Sequence, residues 1–129
     1  MNYRHAFHAG NFADVHKHVT LLALIESLQR KDAPFVALET HAGAGIYDLR
    51  GGEASRTGEW ADGIGRIFAE TKAPAVVRAY LAQVRALNSG GVLRLYPGSP
   101  ALASATLRPQ DRLVLCELEP STNTALREA

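Results

Sequence analysis

Two short apolar runs limit the folds open to this chain more than any other feature of its sequence. Residues 35–38 are FVAL, between a proline and a glycine-rich loop, and residues 112–117 are RLVLCE. Apolar runs of this length are typical of strands that are buried on both faces. Helical patterns occupy the chain between the two runs, and strands that alternate with helices pair in parallel. The sequence therefore predicts an α/β fold with a parallel, doubly wound sheet.

The helical patterns come from apolar side chains spaced three and four residues apart. Over residues 13–30 this spacing predicts a helix with one broad buried face, capped by Asn11 or Asp14. The same spacing predicts helices over residues 60–72 and from Pro74 onward. The apolar positions of the first helix are Val15, Val19, Leu21, Leu22, Leu24, Ile25 and Leu28.

Turn residues define the remaining segments. Residues 49–56 are expected to form a loop. Ser99 occupies a position typical of an N-cap, with Pro100 at the first helical position, and Pro120 begins a last helix.

Composition narrows the classes of function. The chain has 129 residues, enough for one domain, and its formal net charge of +1 indicates neither a nucleic-acid nor an acidic partner. It lacks an apolar run of about 18 residues and an apolar leader, so neither a membrane span nor a secretory signal is expected. Cys116 is the single cysteine, which excludes an internal disulfide and fits a cytoplasmic protein. It is expected to be a buried strand residue.

Two strands are fewer than a doubly wound sheet requires. Such sheets have about five or more strands, and the sequence NTALREA ends inside a predicted helix. We therefore expect the chain to be the N-terminal part of a longer protein or a truncated product. Open sheet edges and uncovered apolar faces favour self-association or a stabilising partner.

Three nucleotide-binding patterns are candidates for the loop after the first strand, ETHAGAG. The phosphate loop of ATPases ends in Gly-Lys-Ser/Thr, which is missing here. The dinucleotide pattern Gly-x-Gly-x-x-Gly fails where Asp48 replaces its third glycine. The third pattern, Glu-x-x-x-Gly-x-Gly, is complete in Glu39, Gly43 and Gly45. It is the first motif of S-adenosylmethionine-dependent methyltransferases. A tight turn without a ligand is the alternative.

A second acid supports the cofactor interpretation. Glu117 closes the second strand, where a carboxylate accepts hydrogen bonds from the ribose hydroxyls of a nucleoside. The two motifs are normally about 20 residues apart, whereas Gly45 and Glu117 are separated by 72 residues. The spacing predicts a helical insertion subdomain at 50–95, between a first segment at 1–49 and a continuation at 96–129.

Five stretches of the sequence resemble a known family. NYRHAFHAGNFADVHKH, THAGAG, RTGEW, YPGSP and LCELEP occur in the order found in the bacterial 23S ribosomal RNA adenine-N6 methyltransferase family. The resemblance covers essentially the whole chain. It implies a Rossmann-like S-adenosylmethionine-dependent methyltransferase fold, here incomplete, with an inserted small helical subdomain. It also implies a monomeric enzyme that methylates the exocyclic amine of one adenine in 23S rRNA.

The resemblance also implies site residues, by position. Tyr3 is expected to lie against the target base. Family catalysis uses an Asp-Pro-Pro-Tyr segment, whose Asp accepts hydrogen bonds from the adenine amine and whose Tyr stacks on the flipped base. None of the six prolines here is adjacent to another, so we expect this chain alone not to catalyse. The residues implied to hold S-adenosyl-L-methionine are His18, His41, Gly43, Gly45, Ser99 and Glu117.

Simpler roles compete with these assignments. His5, His8, His16 and His18 suggest a metal site, but the last two point to different sides of a helix and no cysteine is nearby, so no metal is expected. From spacing alone, His18 is an ordinary helix residue. Without a ligand, His41 would be a packing residue and Ser99 would be a simple helix cap.

Two further classes of function remain open. One is a non-enzymatic nucleotide-binding module, or a fragment completed by another chain, and a dinucleotide-binding domain is the more distant alternative.

Arginines give the predicted insertion a mild positive excess of charge, which suits RNA phosphates or a solvated surface. A reading frame that continues to Asp-Pro-Pro-Tyr favours the enzyme. These arginines are Arg50, Arg56, Arg66, Arg78, Arg85 and Arg94.

Overall fold

The computed structural model describes residues 3–129 and has a mixed α/β fold. Short 3-10 turns cover His5–Phe7 and Glu59–Asp62. The strands are β1 (Val36–Glu39), β2 (Ile46–Asp48), β3 (Leu95–Pro97) and β4 (Arg112–Leu115). The helices are α1 (Phe12–Leu28), α2 (Gly52–Thr57), α3 (Ile64–Ile67), α4 (Ala75–Ala86), α5 (Ser99–Thr106) and α6 (Pro120–Glu128).

β1 and β4 pair in parallel, as the sequence predicts. Leu38 lies opposite Val114 in the register of this pair. The hydrogen bonding continues past the strand ends, since Cys116 N donates to Glu39 O at 2.8 Å and Ala42 N donates to Cys116 O at 3.0 Å. The loop that follows β1 is therefore fixed at the carboxyl ends of both strands.

The prediction that these strands are buried on both faces was wrong. On one face of the pair, the exposed fractions are 60% for Val36, 61% for Leu38 and 45% for Val114. Cys116 is also exposed, contrary to the expectation of a buried thiol. The described residues cover only the other face of the pair, and alternate strand residues point to opposite faces.

A second, antiparallel pair consists of β2 and β3, with Tyr47 opposite Tyr96. The sequence pattern does not predict these strands, because three residues are too few to show an alternation. Leu49 N donates to Arg94 O at 2.8 Å and extends the pairing toward residues 50–93. This pair therefore brings the two ends of the segment between β2 and β3 together.

Helices in that segment differ from the sequence prediction. The expected loop at 49–56 contains α2, and the expected helix at 60–72 is a 3-10 turn followed by the short α3. Gly63 interrupts it, because its backbone lies so close to that of Gly10 and Asn11 that any Cβ would collide. Ile64 N then donates to Gly10 O at 2.9 Å, which joins this turn to the N-terminal segment.

Helix α1 is capped by Asn11, whose side chain accepts a hydrogen bond from Asp14 N at 2.9 Å. Its buried face is narrower than predicted, since the exposed fractions of Leu24 and Leu28 are 59% and 54%. The buried positions of the helix instead include two polar residues, Asp14 and His18. No helix of residues 3–129 is long and apolar enough to cross a membrane.

One apolar core joins α1 to α4, α5 and the β2–β3 pair. The part of it contributed by α4 includes residues from the middle of the predicted insertion. Its largest fully buried side chains are Tyr80, Tyr96, Leu49, Ile64, Leu81, Leu102 and Val84.

A charged clamp ties the end of α1 to the starts of β1 and β4. Arg108 donates two hydrogen bonds to Asp111, at 2.9 and 3.0 Å, and one to Lys31 O at 2.8 Å. Asp111 also accepts a hydrogen bond from Phe35 N at 3.2 Å. The hydrogen bonds and charge of Arg108 hold the pKa of Asp111 well below its usual range.

We predict that Asp111→Asn lowers the urea midpoint of unfolding at pH 7. Because the folded pKa of Asp111 is depressed, its contribution is complete above the unfolded value of about 4 and is lost as the pH falls below it. The difference between wild type and variant should therefore shrink in acid. Asp62→Asn is the control, since Asp62 forms an exposed pair with Arg66 and such pairs contribute little. A difference that does not depend on pH would contradict the prediction.

Candidate cofactor-binding site

A cavity of about 600 Å³ lies at the carboxyl ends of β1 and β4. This volume is within the usual range for small-molecule sites, about 300–1,000 Å³. Gly45 does not line it, although its neighbours Ala44 and Ile46 do. The structure thus brings together side chains from the N-terminus, α1, the glycine loop, α5 and the end of β4. Six residues proposed from the sequence line the cavity: Tyr3, His18, His41, Gly43, Ser99 and Glu117.

Both glycines of the loop adopt backbone conformations that favour glycine. Their φ angles are +75° at Gly43 and +82° at Gly45. A Cβ at Gly43 would collide with the hydroxyl of Tyr47, which accepts a hydrogen bond from Ala44 N at 3.1 Å. Gly43 therefore lines the cavity without a side chain, and the Tyr47 hydroxyl, which lines the cavity as well, supports the loop.

Glu117 connects the end of β4 to the glycine loop. Its Oε2 accepts a hydrogen bond from Gly43 N and its Oε1 accepts one from Glu119 N, both at 2.9 Å. Each carboxylate oxygen has two lone pairs, so the half-buried group can accept further hydrogen bonds from a ligand in the cavity.

Ser99 is not the N-cap of α5, contrary to the sequence prediction. Gly98 is the N-cap, and Ser99 is the first helical residue. The Ser99 hydroxyl instead donates to Glu39 Oε2 at 2.5 Å. The sequence could not show this, because Glu39 and Ser99 meet only through the tertiary fold.

Glu39 stands behind Ser99 rather than in the wall of the cavity. Burial raises the pKa of its carboxyl, and the hydrogen bond from Ser99 opposes that rise. Its Oε1 is buried and has no hydrogen-bond partner within residues 3–129. Because buried polar atoms are nearly always paired, this oxygen has unused capacity for a donor.

The two histidines that the sequence proposes for the site, His18 and His41, differ in environment. His41 is exposed at the cavity rim, and its Nδ1 forms a 3.0 Å hydrogen bond with the Thr40 hydroxyl. His18 is buried on α1, where its Nδ1 lies 2.7 Å from the Tyr96 hydroxyl. Burial lowers the pKa of His18 to about 4, although the charge of Asp14 opposes the shift.

A chain of hydrogen bonds positions the N-terminal segment. Tyr3 Oη lies 2.7 Å from His5 Nδ1, and His5 Nε2 lies 2.8 Å from Asp14 Oδ2. The ring of Tyr3 also stacks on His8, with the planes at 8°. Burial alone would raise the pKa of Asp14, but the hydrogen bond and charge of His5 lower it. Tyr3 is thus held, although exposed, at the mouth of the cavity.

Sequence reasoning did not identify several residues of this wall. Tyr47, His5, Asp14 and Lys17 line the cavity, and Tyr96 supports it. A polar residue at a buried helix position, such as Asp14 beside the N-cap, is the one local signal that could have found part of this set. Tyr96 carries no such signal, because its hydrogen-bond partners, His18 and Tyr80, are distant in the chain.

Most arginines of the predicted insertion already have partners in the protein. Arg66 and Arg94 form ion pairs with Asp62 and Asp48, and Arg78 and Arg85 donate to backbone carbonyls. Within residues 3–129, the side chains of Arg50 and Arg56 form none of these contacts. No group of three or more histidine, cysteine, aspartate or glutamate residues in that range is arranged to hold a metal ion.

A glycine loop between acids that end two parallel strands is an arrangement with which α/β proteins hold nucleotide cofactors. The comparisons with known proteins identify the family. Residues 32–129 match the family model described as "Ribosomal RNA large subunit methyltransferase D, RlmJ", and the chain belongs to this family.

Relatives in three bacteria support this assignment. The chain is 52% identical to ribosomal RNA large subunit methyltransferase J of Escherichia coli K12, over 98% of the chain and 45% of that protein. It is 45% identical to the Haemophilus influenzae protein of the same name, over 98% of the chain and 46% of that protein. A crystal structure of a Legionella pneumophila protein matches with a TM-score of 0.87 and 42% identity, covering 94% of this chain and 44% of that one. The chain therefore spans less than half the length of these relatives.

We predict that Gly43→Ala destabilises the chain by about 1–2 kcal/mol or more, because a residue with a Cβ is strained in the left-handed conformation and the Cβ would also collide with the Tyr47 hydroxyl. Gly52→Ala is the matched control, because no atom lies within 4 Å of its added Cβ and its φ is not positive. The control should be neutral or stabilising by up to about 1 kcal/mol. Urea unfolding measures both, and equal losses in the two variants would contradict the prediction.

Proposed function

We propose that this chain is the cofactor-binding part of an S-adenosylmethionine-dependent methyltransferase that acts on the N6 amine of an adenine in 23S rRNA. The proposal rests on family membership and on one observation. Side chains from five separate parts of the chain line a single cavity at the carboxyl ends of β1 and β4. The wall combines a glycine backbone, carboxylates, a serine hydroxyl and imidazoles, which suits a nucleoside joined to an amino acid.

The residues of the cavity fit S-adenosylmethionine by their chemistry. Gly43, which lines the cavity, allows a ligand to approach the backbone closely, and Gly45 gives the loop its second positive φ. Glu117 accepts hydrogen bonds from ribose hydroxyls, and Ser99 and His18 offer polar contacts. When bound, the cofactor supplies an electrophilic methyl group on its sulfonium.

The fold that accompanies this function is a Rossmann-like sheet with an insertion. β1 and β4 are its first two neighbouring strands, each followed by a cofactor residue at its carboxyl end. The segment 50–95 is the inserted helical subdomain, between 1–49 and 96–129, and the β2–β3 pair lies at its two ends.

The substrate of the proposed enzyme is RNA, in the cytoplasm. In this proposal Tyr3, which lines the cavity, contacts the target base, and Arg50 and Arg56 contact phosphates. The lone pair of the adenine amine is delocalised into the ring, so acceptors on its hydrogens raise its nucleophilicity. In the family an Asp-Pro-Pro-Tyr segment supplies them, and residues 1–129 do not contain it.

We predict that the purified chain binds S-adenosylmethionine and not NAD, measured by isothermal calorimetry. Glu117→Gln should weaken binding about tenfold or more, because it removes a charged acceptor. His41→Ala should also weaken binding. Glu128→Gln, at an exposed acid outside the cavity, is the control and should bind like wild type. Unchanged affinity in Glu117→Gln and His41→Ala would count against the site, and no heat with S-adenosylmethionine would refute cofactor binding by this chain.

We predict that the chain alone transfers no methyl group to unmodified 23S rRNA from methyl-labelled S-adenosylmethionine. The Escherichia coli relative serves as the positive control. Labelled adenine in the reaction with the chain alone would contradict the assignment of catalysis to an Asp-Pro-Pro-Tyr segment. The gene sequence beyond codon 129 provides an independent check, because the enzyme requires that motif downstream.

The alternative is a non-enzymatic nucleotide-binding module or a fragment completed by another chain. The exposed face of the β1–β4 pair, with Val36, Leu38 and Val114, favours completion or self-association. Sedimentation of the isolated chain separates these states: a monomer that binds cofactor contradicts self-association, and a dimer supports it.

A further inference from the structure

Three buried polar groups from different elements form one chain of hydrogen bonds behind the cavity. His18 Nδ1 on α1 lies 2.7 Å from the Tyr96 hydroxyl on β3, which lies 2.9 Å from the Tyr80 hydroxyl on α4. The exposed fractions are 6% for His18 and 0% for both tyrosines. Only His18 lines the cavity. The two tyrosines are therefore fixed groups that act on the ligand site through the imidazole.

The number of hydrogens available for donation favours one direction for this series of hydrogen bonds. A tyrosine hydroxyl has one hydrogen to donate, and a neutral imidazole has one N–H donor and one acceptor nitrogen. If Tyr80 donates to Tyr96 and Tyr96 donates to His18 Nδ1, both tyrosine hydroxyls have an acceptor. The imidazole hydrogen then resides on Nε2, which forms no hydrogen bond within residues 3–129 and is not sealed from the cavity.

The opposite direction leaves a buried donor unpaired. If His18 Nδ1–H donates to Tyr96 and Tyr96 donates to Tyr80, the Tyr80 hydroxyl must donate elsewhere. Its oxygen has no second hydrogen-bond partner within residues 3–129. An unpaired buried donor is rare in proteins and costly, so the first direction is favoured.

The charge state of His18 agrees with this direction. Burial lowers the pKa of His18 to about 4, so the imidazole is neutral at physiological pH. The charged groups that face it are Asp14, which opposes the shift, and Lys17 and His5, which add to it. A neutral imidazole can accept from Tyr96, whereas an imidazolium cannot.

We propose that Tyr96, oriented by Tyr80, is a positioning residue that holds His18 as the Nε2–H tautomer, so that His18 offers a hydrogen-bond donor to the ligand. The ligand atom that faces His18 is then an acceptor, such as a carboxylate or hydroxyl oxygen. This inference rests on the proposed function for the identity of the ligand, S-adenosylmethionine. The tautomer itself does not depend on any ligand.

The tautomer is tested in the ligand-free chain by long-range ¹H–¹⁵N NMR at pH 7. We expect His18 to show a protonated Nε2 and an unprotonated, hydrogen-bonded Nδ1. A protonated Nδ1 would overturn the proposal. Tyr96→Phe should move the Nδ1 signal to the position of a nitrogen without a hydrogen bond, and a signal that stays in place would also overturn it.

The effect on the ligand is tested by calorimetry with S-adenosylmethionine. Tyr96→Phe should raise Kd roughly two- to tenfold, the range expected for one lost hydrogen bond. Val84→Ala is the control: Val84, on α4, is fully buried like Tyr96, but its side chain makes no polar contact and does not line the cavity. It should lower stability while leaving Kd and the His18 signals unchanged. An equal rise in Kd for both variants would show general destabilisation and refute the positioning role.

A second variant keeps the test decisive if the Tyr96→Phe chain does not fold. Tyr80→Phe/Tyr96→Phe removes both hydroxyls and leaves no tyrosine donor unpaired, and the same two measurements apply to it. If wild type gives no heat with S-adenosylmethionine, the proposed function fails, and the NMR result alone decides the role of Tyr96. If wild type binds and the variants bind equally well, the positioning role fails and the proposed function stands.

Discussion

The parallel pairing of β1 with β4 is the interaction on which the rest of the structure depends. It joins residues about 75 positions apart in the chain, and it places the ends of both strands at one edge. Without it, Glu117 would not reach the backbone of Gly43, and the loop would lose the carboxylate that holds it. The Arg108–Asp111 clamp secures the same pair from the opposite end, beside Phe35. The cavity thus depends on the long-range pairing of β1 with β4, which side-chain hydrogen bonds stabilise at both ends.

Local sequence was sufficient to predict the elements that carry a pattern. The apolar spacing in residues 13–30, the proline before α4 and the short runs at β1 and β4 each indicate an element that the structure contains. The three-residue strands β2 and β3 carry no pattern, and they form because Tyr47 and Tyr96 pair across the molecule. The expected long helix at 60–72 fails at Gly63, where a neighbouring backbone, and not local propensity, decides the conformation.

The same distinction applies to the site. The spacing of Glu39, Gly43 and Gly45 predicts a cofactor loop, and Glu117 follows from its position at a strand end. Ser99 begins a helix as its first residue and not as the predicted N-cap, and its contact with Glu39 belongs to the tertiary structure. The hydrogen bonds that join Tyr3, His5 and Asp14, and those of the tyrosines behind His18, have no signature in the sequence. Sequence can locate the residues of a motif, whereas the side chains that orient them come from elsewhere in the fold.

The described part of the sheet has a consequence for the order of folding. The described residues that line the cavity, from Tyr3 to Ala125, come before any strand that a longer protein adds after residue 129. Domains form from the N-terminus during synthesis, at about 5–20 residues per second. In such a protein this part of the cavity wall is therefore synthesised before the strands that follow it, and a ligand that binds only the folded form would stabilise the nascent part by mass action.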